Sequence, residues 1–412
     1  MRLSVLICVY NTDKKYLDEC LRSITESTLD GIRGNYEICI LDDGSDRDYS
    51  DIAKKYGAML RKTENRGIYA AREAVLRMAQ GEFCVYCDSD DTVSCDYHLP
   101  MLNEAEKTGT DIIINGWAFH TESARYYCRK DETVSGDIDL CSDEKLRTFF
   151  KYGGRYHSFY VLWNKLYRTE LLKKAFLRLE NEGYPKSASY AEDAAINFFA
   201  WREAKRIKNI HTGFYFYRIH ASQSVNATTK ERILSQIESM SFCFSIMRRN
   251  IGENRYKDEI LHHLRDWEKL MARTHYSLAK ANGHGTLFPI IKEKYSIDKL
   301  KNSTLMDAGG YIVTTLLGKN FKEIDRILLS IWKSKKPLSI KYSQSDAYTA
   351  NCVRRLISSG KAIKTRGTPD VMIPKADIPK KHRFIHNGFV YRIGIVLFKK
   401  GSKARAFLKK FI

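Results

Sequence analysis

Apolar and polar residues alternate along the first 120 residues in a way that predicts strands and helices in turn. Residues 2–9 are a short, mainly apolar run, and residues 13–27 then place apolar side chains at helical spacing. Because continuously apolar strands separated by helices are typical of a parallel sheet covered on both faces, we predict a nucleotide-binding α/β half. The further predicted strands are 36–41, 58–62, 82–87 and 111–115, and the further helices are 48–56, 67–79 and 96–107.

The pattern changes after residue 120. It becomes irregular and rich in aromatic residues, with a predicted helix at 191–204 and a predicted strand at 207–218 that complete one catalytic domain. After residue 226 the helical period dominates, and later a stretch containing Gly and Pro resembles a linker. The predicted domains are a catalytic domain at 1–225, a helical domain at 226–358, and a linker with a basic amphipathic C-terminal segment at 359–412.

Length and composition describe a folded protein with more than one domain. A chain of 412 residues exceeds the size at which a single hydrophobic core usually stops growing, and 29% charged residues exclude neither folding nor solubility. The first ten residues lack the features of a signal peptide, and no apolar run approaches the length of a membrane-spanning helix. Ten cysteines without an extracellular disulfide framework favour reduced thiols, so we expect a cytoplasmic protein.

The positive charge is concentrated at the C-terminus. The net charge is +20, and residues 361–412 hold 14 Lys and Arg against two acids, which is 14 − 2 = +12. Apolar residues interleaved with these basic ones suit a helix lying on anionic lipid, which predicts peripheral attachment at the inner face of the cell membrane. A solvated basic tail is the alternative. The charge would also allow a nucleic-acid-binding protein, but no nucleic-acid-binding motif supports that partner.

Polar residues follow each of the first four predicted strands. In parallel α/β sheets, ligands bind at the carboxyl ends of strands, so these residues are expected to line one crevice. Asp88 and Asp90 lie two residues apart and can share a hard divalent cation, Mg²⁺ or Mn²⁺, whereas an isolated pair could be a solvated acidic turn. The four groups are Tyr10-Asn11, Asp42-Asp43-Gly44-Ser45, Asn65-Arg66-Gly67 and Asp88-Ser89-Asp90-Asp91.

At these residues the chain resembles the family-2 glycosyltransferases with the GT-A fold, of the type found in bacterial polysaccharide biosynthesis. The resemblance covers about residues 1–225 and rests on motifs in the family's order. It implies a mixed, mainly parallel sheet in the catalytic domain. The motifs are VLICVYN at 5–11, LDDGSDR at 41–47, ENRGIYAARE at 64–73, CDSDD at 87–91, WNKLYR at 163–168, Glu192-Asp193, and YRIHASQS at 217–224.

The resemblance implies a nucleotide-sugar donor, with Asp42 accepting the N3 proton of uracil. Asp90 would ligate the metal directly, with Asp88 and His220 supporting it. Two alternatives remain: Asp42 could serve only in a turn, and Arg72 could be an exposed helix residue. The residues implied for donor binding are Val9, Tyr10, Asp42, Asn65, Arg72, Asp88 and Arg218.

For catalysis, the resemblance makes Asp193 the general base that takes a proton from the acceptor hydroxyl as it attacks the anomeric carbon. One base and no nucleophile imply a single displacement with inversion. Glu192 and Asp193 would also fit a helix N-terminus by electrostatics alone. Trp163 and Glu192 are implied in acceptor binding, although Trp is more often a core residue.

The predicted function is therefore transfer of a sugar from a nucleotide-sugar, predicted to be a UDP-sugar, to a hydroxyl of a glycan or lipid-linked acceptor. The rival interpretation takes Asp88, Asp90 and Thr92 as the D-x-D-x-T signature of haloacid-dehalogenase-like phosphatases. That family places the signature after its first strand, whereas a complete nucleotide-binding unit precedes it here. The sequence indicates neither the sugar, nor the acceptor, nor the oligomeric state.

Overall fold

We analysed a computed structural model of the chain. It describes residues 1–26, 32, 34–121, 124–125, 138–153, 157–188, 190–218 and 229–298, together with three short strands nearer the C-terminus. The chain divides into two compact units. The first comprises 1–120, 133–218 and 235–268, and the second comprises 121–132, 219–234 and 269–412.

The strands and helices of the described residues are as follows. The strands are β1 (Leu3–Val9), β2 (Tyr36–Asp43), β3 (Met59–Thr63), β4 (Phe83–Tyr86), β5 (Thr92–Val93), β6 (Ile112–Thr121), β7 (Ala124–Arg125), β8 (Asp139–Leu140), β9 (Lys165–Arg168), β10 (Ile207–Arg218), β11 (Leu338–Lys341), β12 (Ile363–Lys364) and β13 (Asp370–Ile373). The helices are α1 (Lys14–Thr25), α2 (Ser50–Lys55), α3 (Ile68–Met78), α4 (His98–Thr108), α5 (Glu144–Gly153), α6 (His157–Tyr160), α7 (Thr169–Asn181), α8 (Glu192–Glu203), α9 (Lys230–Arg249), α10 (Lys257–Ala281) and α11 (Phe288–Lys294).

The first unit is built on a mixed sheet with the strand order β3-β2-β1-β4-β9-β6-β10-β5. The first four strands of this order are parallel, β9 is antiparallel to both its neighbours, and β10 is parallel to β6. The carboxyl ends of β1, β2, β4 and β10 therefore meet at one edge of the sheet, which is where α/β proteins bind ligands.

The core explains why the N-terminal segments form these elements. Leu3, Val5 and Ile7 alternate along β1 into a hydrophobic cluster that also buries Leu17 and Leu21 of α1. Asp13 caps α1, because its carboxylate accepts a hydrogen bond of 2.9 Å from the backbone N–H of Lys15. Burial of both apolar faces holds α1 against the sheet and leaves the strand ends free for polar residues.

The predicted α/β organisation is confirmed. Each strand and helix predicted up to residue 120, and the later helix and strand up to 218, is present, and β6 alone among them runs well past its predicted end, to Thr121. The sequence analysis did not resolve β5, β7, β8, α5, α6, β9 and α7. The four-residue β9 has a buried lysine in place of an apolar alternation, so its pattern gives no strand signal.

In the second unit, α11 agrees with the predicted helical character. Three short strands do not, since β11, β12 and β13 form an antiparallel sheet in stretches predicted as helix and linker. Strands of two to four residues are too short for a two-residue period to stand out. The two predicted domain boundaries stay predictions. Among the described residues, no helix combines the length and apolar character needed to cross a membrane.

Candidate active site

At the end of β2, Asp42 is buried and organises a turn. One carboxylate oxygen accepts a hydrogen bond of 2.8 Å from the backbone N–H of Ser45, and the other lies 3.7 Å from the Lys62 ammonium. The side chain of Asp42 is 2% exposed. Asp42 therefore serves in a turn, as the alternative interpretation held. Its predicted contact with uracil stays a prediction.

Asp43 connects this turn to the loop before α3. Its two oxygens accept hydrogen bonds from the backbone N–H groups of Arg66 and Gly67, at 2.9 and 3.0 Å. Burial raises the pKa of Asp43, and these two bonds counter that rise. Gly44 completes the junction, because a Cβ there would lie 2.6 Å from the backbone nitrogen of Asn65. The loop that carries Asn65 is thus packed directly on the β2 turn.

At the end of β1, two of the residues predicted to bind the donor differ in exposure. Val9 is buried beside Asp42 in the strand register, whereas Tyr10 is 57% exposed. Asn11 adopts a positive φ of 51°, and its backbone N–H donates a 2.8 Å hydrogen bond to the Ser45 hydroxyl. An exposed aromatic ring therefore stands next to the Asp42 turn.

At the end of β4, Asp91 fixes the acidic segment in place. Its carboxylate accepts hydrogen bonds of 2.6 Å from the Tyr215 hydroxyl and from the backbone N–H of Arg218, both on β10. The backbone N–H of Asp88 donates to the same Tyr215 oxygen at 2.9 Å. Asp91 is almost fully buried, and burial, followed by the charges of Asp90 and Asp88, raises its pKa well above the usual value.

Asp88 and Asp90 are less buried than Asp91 and remain as the candidate metal ligands. Burial raises the pKa of Asp88, the Asp90 and Glu192 carboxylates raise it further, and Arg72 opposes them. Two carboxylates two residues apart at the end of a buried strand fit a divalent cation with oxygen ligands. The described residues contain no group of three or more His, Cys, Asp or Glu side chains arranged for a metal. The third predicted ligand, His220, lies outside the described residues.

Arg72, on α3, joins the end of β4 to the start of α8. One guanidinium nitrogen donates a 2.6 Å hydrogen bond to Glu192 and also contacts the Asp193 carboxylate, and the other lies 3.5 Å from Asp88. Arg72 is 5% exposed, so the alternative that it is an exposed helix residue is wrong. Burial acts to lower its pKa, but the charges of Glu192 and Asp88 outweigh this and raise it.

Arg218 is also buried, and it braces the acidic segment. Its guanidinium donates hydrogen bonds of 2.6 Å to Glu19 and 2.5 Å to the backbone oxygen of Asp90, and it lies 4.5 Å above the Tyr16 ring. The sequence analysis missed Glu19 and Tyr16. They share one face of α1, but local patterns contain no signal that relates them to a residue about 200 positions away. The predicted contact of Arg218 with a diphosphate stays a prediction.

Of the two predicted acceptor residues, Trp163 belongs to the core. It is 4% exposed, and its ring stacks on those of Tyr215 and Tyr217 with centroids 4.6 and 5.7 Å apart. Glu192 and Asp193 occupy the first turn of α8, as predicted, where the helix dipole also favours negative charge. Asp193 keeps 18% of its side chain exposed and so remains reachable from solvent.

Comparison with known proteins supports the predicted family. Residues 4–176 match the model of the family described as glycosyl transferase family 2, as the sequence motifs led us to expect. A relative, the putative glycosyltransferase EpsH of Bacillus subtilis (strain 168), is 29% identical over 313 residues, which cover 71% of this chain and 86% of EpsH.

Two further similarities extend over most of the chain. The cholesterol galactosyltransferase of Borreliella burgdorferi is 25% identical over 362 residues, or 83% of this chain and 95% of that protein. The crystal structure of residues 1–349 of S. aureus TarS is 18% identical, with a TM-score of 0.44 over 78% of this chain and 92% of that one. The phosphatase and nucleic-acid-binding alternatives receive no support from these comparisons.

Proposed function

We propose that this enzyme transfers a sugar with inversion from a UDP-sugar to a hydroxyl of a glycan or lipid-linked acceptor. The observation that carries the proposal is the position of Arg72, which contacts the carboxylates of Asp88, Glu192 and Asp193. The carboxylate proposed to bind the metal and diphosphate, at the end of β4, and the carboxylate proposed as the base, at the start of α8, thus contact one buried side chain. Sugar transfer requires these two groups to lie close together.

The donor base is proposed to bind between Tyr10 and Asp42. The exposed ring of Tyr10 offers an aromatic surface for stacking, and the second oxygen of Asp42 lies 3.7 Å from the Lys62 ammonium. A carboxylate oxygen is a hydrogen-bond acceptor, so it suits the N3–H of uracil and not the acceptor N3 of cytosine. Asn65, held on the Asp42 turn, completes this end of the pocket.

Asp88 and Asp90 are proposed to hold a divalent cation, Mg²⁺ or Mn²⁺, together with the donor diphosphate. When bound, such a cation offsets the negative charge that develops on the departing nucleoside diphosphate. Asp91 and Arg218 support this role indirectly, because their hydrogen bonds hold the backbone of the acidic segment on β10. Both carboxylates can then project from a rigid turn.

Asp193 is proposed to act as the general base. It would accept the proton of the acceptor hydroxyl while that oxygen attacks the anomeric carbon from the side opposite the diphosphate. The bond to the sugar forms as the bond to the diphosphate breaks, and a single displacement inverts the configuration. Arg72 supports the assignment, because its contact holds the Asp193 carboxylate at the start of α8.

Loss of Asp88 or Asp90 should remove metal-dependent donor binding. We expect Asp88→Asn and Asp90→Asn each to weaken the Mn²⁺-dependent affinity for UDP by at least about tenfold, because the amide keeps the volume but loses the charge that attracts the cation. Isothermal titration calorimetry with UDP, and with CDP for comparison, measures this affinity in the presence and absence of Mn²⁺.

Asp51→Asn, on the exposed side of α2, is the control. Unchanged Mn²⁺-dependent affinity in both variants would contradict the metal assignment, and equal affinity for CDP would contradict the role of Asp42.

The basic C-terminal segment is proposed to hold the enzyme at an anionic membrane. Its 14 basic side chains are each worth about 1 kcal/mol near anionic lipid, and salt screens the attraction. The name of the cholesterol galactosyltransferase among the relatives supports a lipid acceptor. Deletion of residues 380–412 should abolish cosedimentation with phosphatidylserine-containing vesicles, while binding by the full chain should fall as NaCl rises. A truncated protein that still cosediments would refute the proposal.

A further inference from the structure

The side chain of Asn197 lies directly beneath the proposed base, one turn further along α8. It is fully buried, and its amide nitrogen donates hydrogen bonds to the backbone oxygens of Tyr160 at 2.8 Å, Val161 at 3.1 Å and Asp193 at 3.1 Å. Its oxygen accepts a 2.8 Å hydrogen bond from the Tyr167 hydroxyl on β9. One side chain thus links the first turn of α8 both to the segment before β9 and to β9 itself.

Lys165 strengthens the same link from the other side. Its ammonium is fully buried and donates hydrogen bonds of 2.6 Å to the Val161 backbone oxygen and 2.7 Å to the Asn164 side chain. The Val161 oxygen therefore accepts from both Asn197 and Lys165. Burial lowers the pKa of Lys165 well below its usual value. Placing a lysine here costs free energy, and its bonds define the position of the Val161 carbonyl.

These contacts bear on catalysis because the carbonyl that Asn197 holds belongs to Asp193. The N-terminal turn of a helix lacks half of its internal hydrogen bonds and frays readily unless other groups hold it. The residue before the turn, Ala191, has a positive φ of 67°, a backbone conformation that residues other than glycine adopt at a cost in free energy. A displacement of about 1 Å in a catalytic group can cost on the order of 10²-fold in rate.

We propose that Asn197 is a positioning residue that fixes the first turn of α8, and with it the carboxylate of Asp193, against the segment before β9. Tyr167 orients the Asn197 amide, and Lys165 holds the shared Val161 carbonyl. The inference rests on the proposed role of Asp193 as the base. Asn197 acts through Asp193 and lies too deep in the protein to touch the substrate.

Asn197→Ala tests the proposal, with Asn209→Ala as the matched control. Asn209 is also a buried asparagine of the first unit and lies near the start of β10. Its side-chain oxygen accepts a 2.9 Å hydrogen bond from the backbone N–H of Ile138. Both variants should lower the melting temperature. At a temperature where both are fully folded, Asn197→Ala should lower kcat at least tenfold with KM for the donor within twofold, whereas Asn209→Ala should keep kcat within twofold of wild type.

The assay measures UDP release from UDP-glucose, UDP-galactose or UDP-N-acetylglucosamine with Mn²⁺, with water in place of the acceptor hydroxyl. Tyr167→Phe is a milder variant, since it removes a single oxygen, and it should lower kcat about threefold or more. Wild-type kcat in both Asn197→Ala and Tyr167→Phe would overturn the proposal, as would an equal loss of kcat in Asn209→Ala.

A double-mutant cycle separates this inference from the assignment of the base. If Asn197 acts through Asp193, then Asn197→Ala should have little further effect on kcat in an Asp193→Asn background. Additive losses would show that Asn197 acts by another route and would overturn the inference alone. Wild-type kcat in Asp193→Asn would instead remove the proposed base, and the positioning role with it.

Discussion

Asp193→Asn is expected to lower the kcat of sugar transfer by about 10²-fold or more while leaving the affinity for UDP and Mn²⁺ unchanged. An asparagine fills the same volume and still accepts a hydrogen bond from Arg72, but it cannot take a proton from a hydroxyl. A positioned general base contributes on the order of 10²- to 10⁴-fold to a rate, which sets the expected loss. Steady-state kinetics of UDP release and calorimetry with UDP measure the two quantities separately.

The control for Asp193 is a carboxylate that also lies in the first turn of a helix but outside the candidate active site. Asp51 lies in the first turn of α2, as Asp193 lies in the first turn of α8. Asp51→Asn removes the same favourable interaction with a helix dipole, worth about 0.3–1 kcal/mol, and should leave kcat unchanged. If Asp193→Asn and Asp51→Asn behave alike, Asp193 serves the helix N-terminus and the base lies elsewhere.

The parts of the fold that the sequence predicted are those in which local pattern and tertiary structure agree. β1 and α1 are examples. β1 is a short, mainly apolar run and α1 has apolar residues at helical spacing, and both sets of residues are buried as these patterns predict. β9 is the contrary case. Its first residue is a buried lysine, stabilised by the Val161 backbone oxygen and the Asn164 amide oxygen. A charged residue in the sequence predicts exposure, so the pattern does not reveal this buried strand.

The site shows the same division. The carboxylates at the strand ends could be found because each follows an apolar strand and parallel strands end together. The motifs also named Arg72 and Arg218 as site residues, but the pairs that these residues form could not be found. Arg72 and Asp193 are separated by 121 positions and Arg218 and Glu19 by 199, and no local pattern encodes such pairs. Long-range ion pairs depend on how the elements pack, which a motif does not contain.

Arg72 offers the second large effect, because three carboxylates depend on one buried cation. We expect Arg72→Met to lower the free energy of unfolding by about 3–5 kcal/mol at pH 8, the range for removing one partner from a buried ion pair. Methionine retains much of the aliphatic stem, so the loss comes mainly from leaving Glu192, Asp193 and Asp88 without their countercharge. Chemical denaturation followed by circular dichroism measures the difference.

Arg77→Met is the matched control, since Arg77 lies on the same helix and pairs with Glu73 one turn away. Its side chain is 68% exposed, and exposed pairs at this spacing contribute about 0.3–0.5 kcal/mol. We therefore expect Arg77→Met to be nearly as stable as wild type. A comparable loss in both variants would show that the buried ion pairs of Arg72 contribute no more to stability than an exposed pair does.

The loss of unfolding free energy in Arg72→Met should depend on pH in a definite direction. The pKa of Asp88 is already raised by burial and by its acidic neighbours, and Arg72 opposes that rise, so the variant should raise this pKa further. An acid whose pKa is higher in the folded state than in the unfolded state destabilises the fold at pH values above its folded pKa, and the penalty disappears as protons bind. The stability gap between wild type and Arg72→Met should therefore shrink as the pH falls from 8 towards 5. A gap that stays constant or widens over this range would mean that the carboxylates around Arg72 do not depend on its charge.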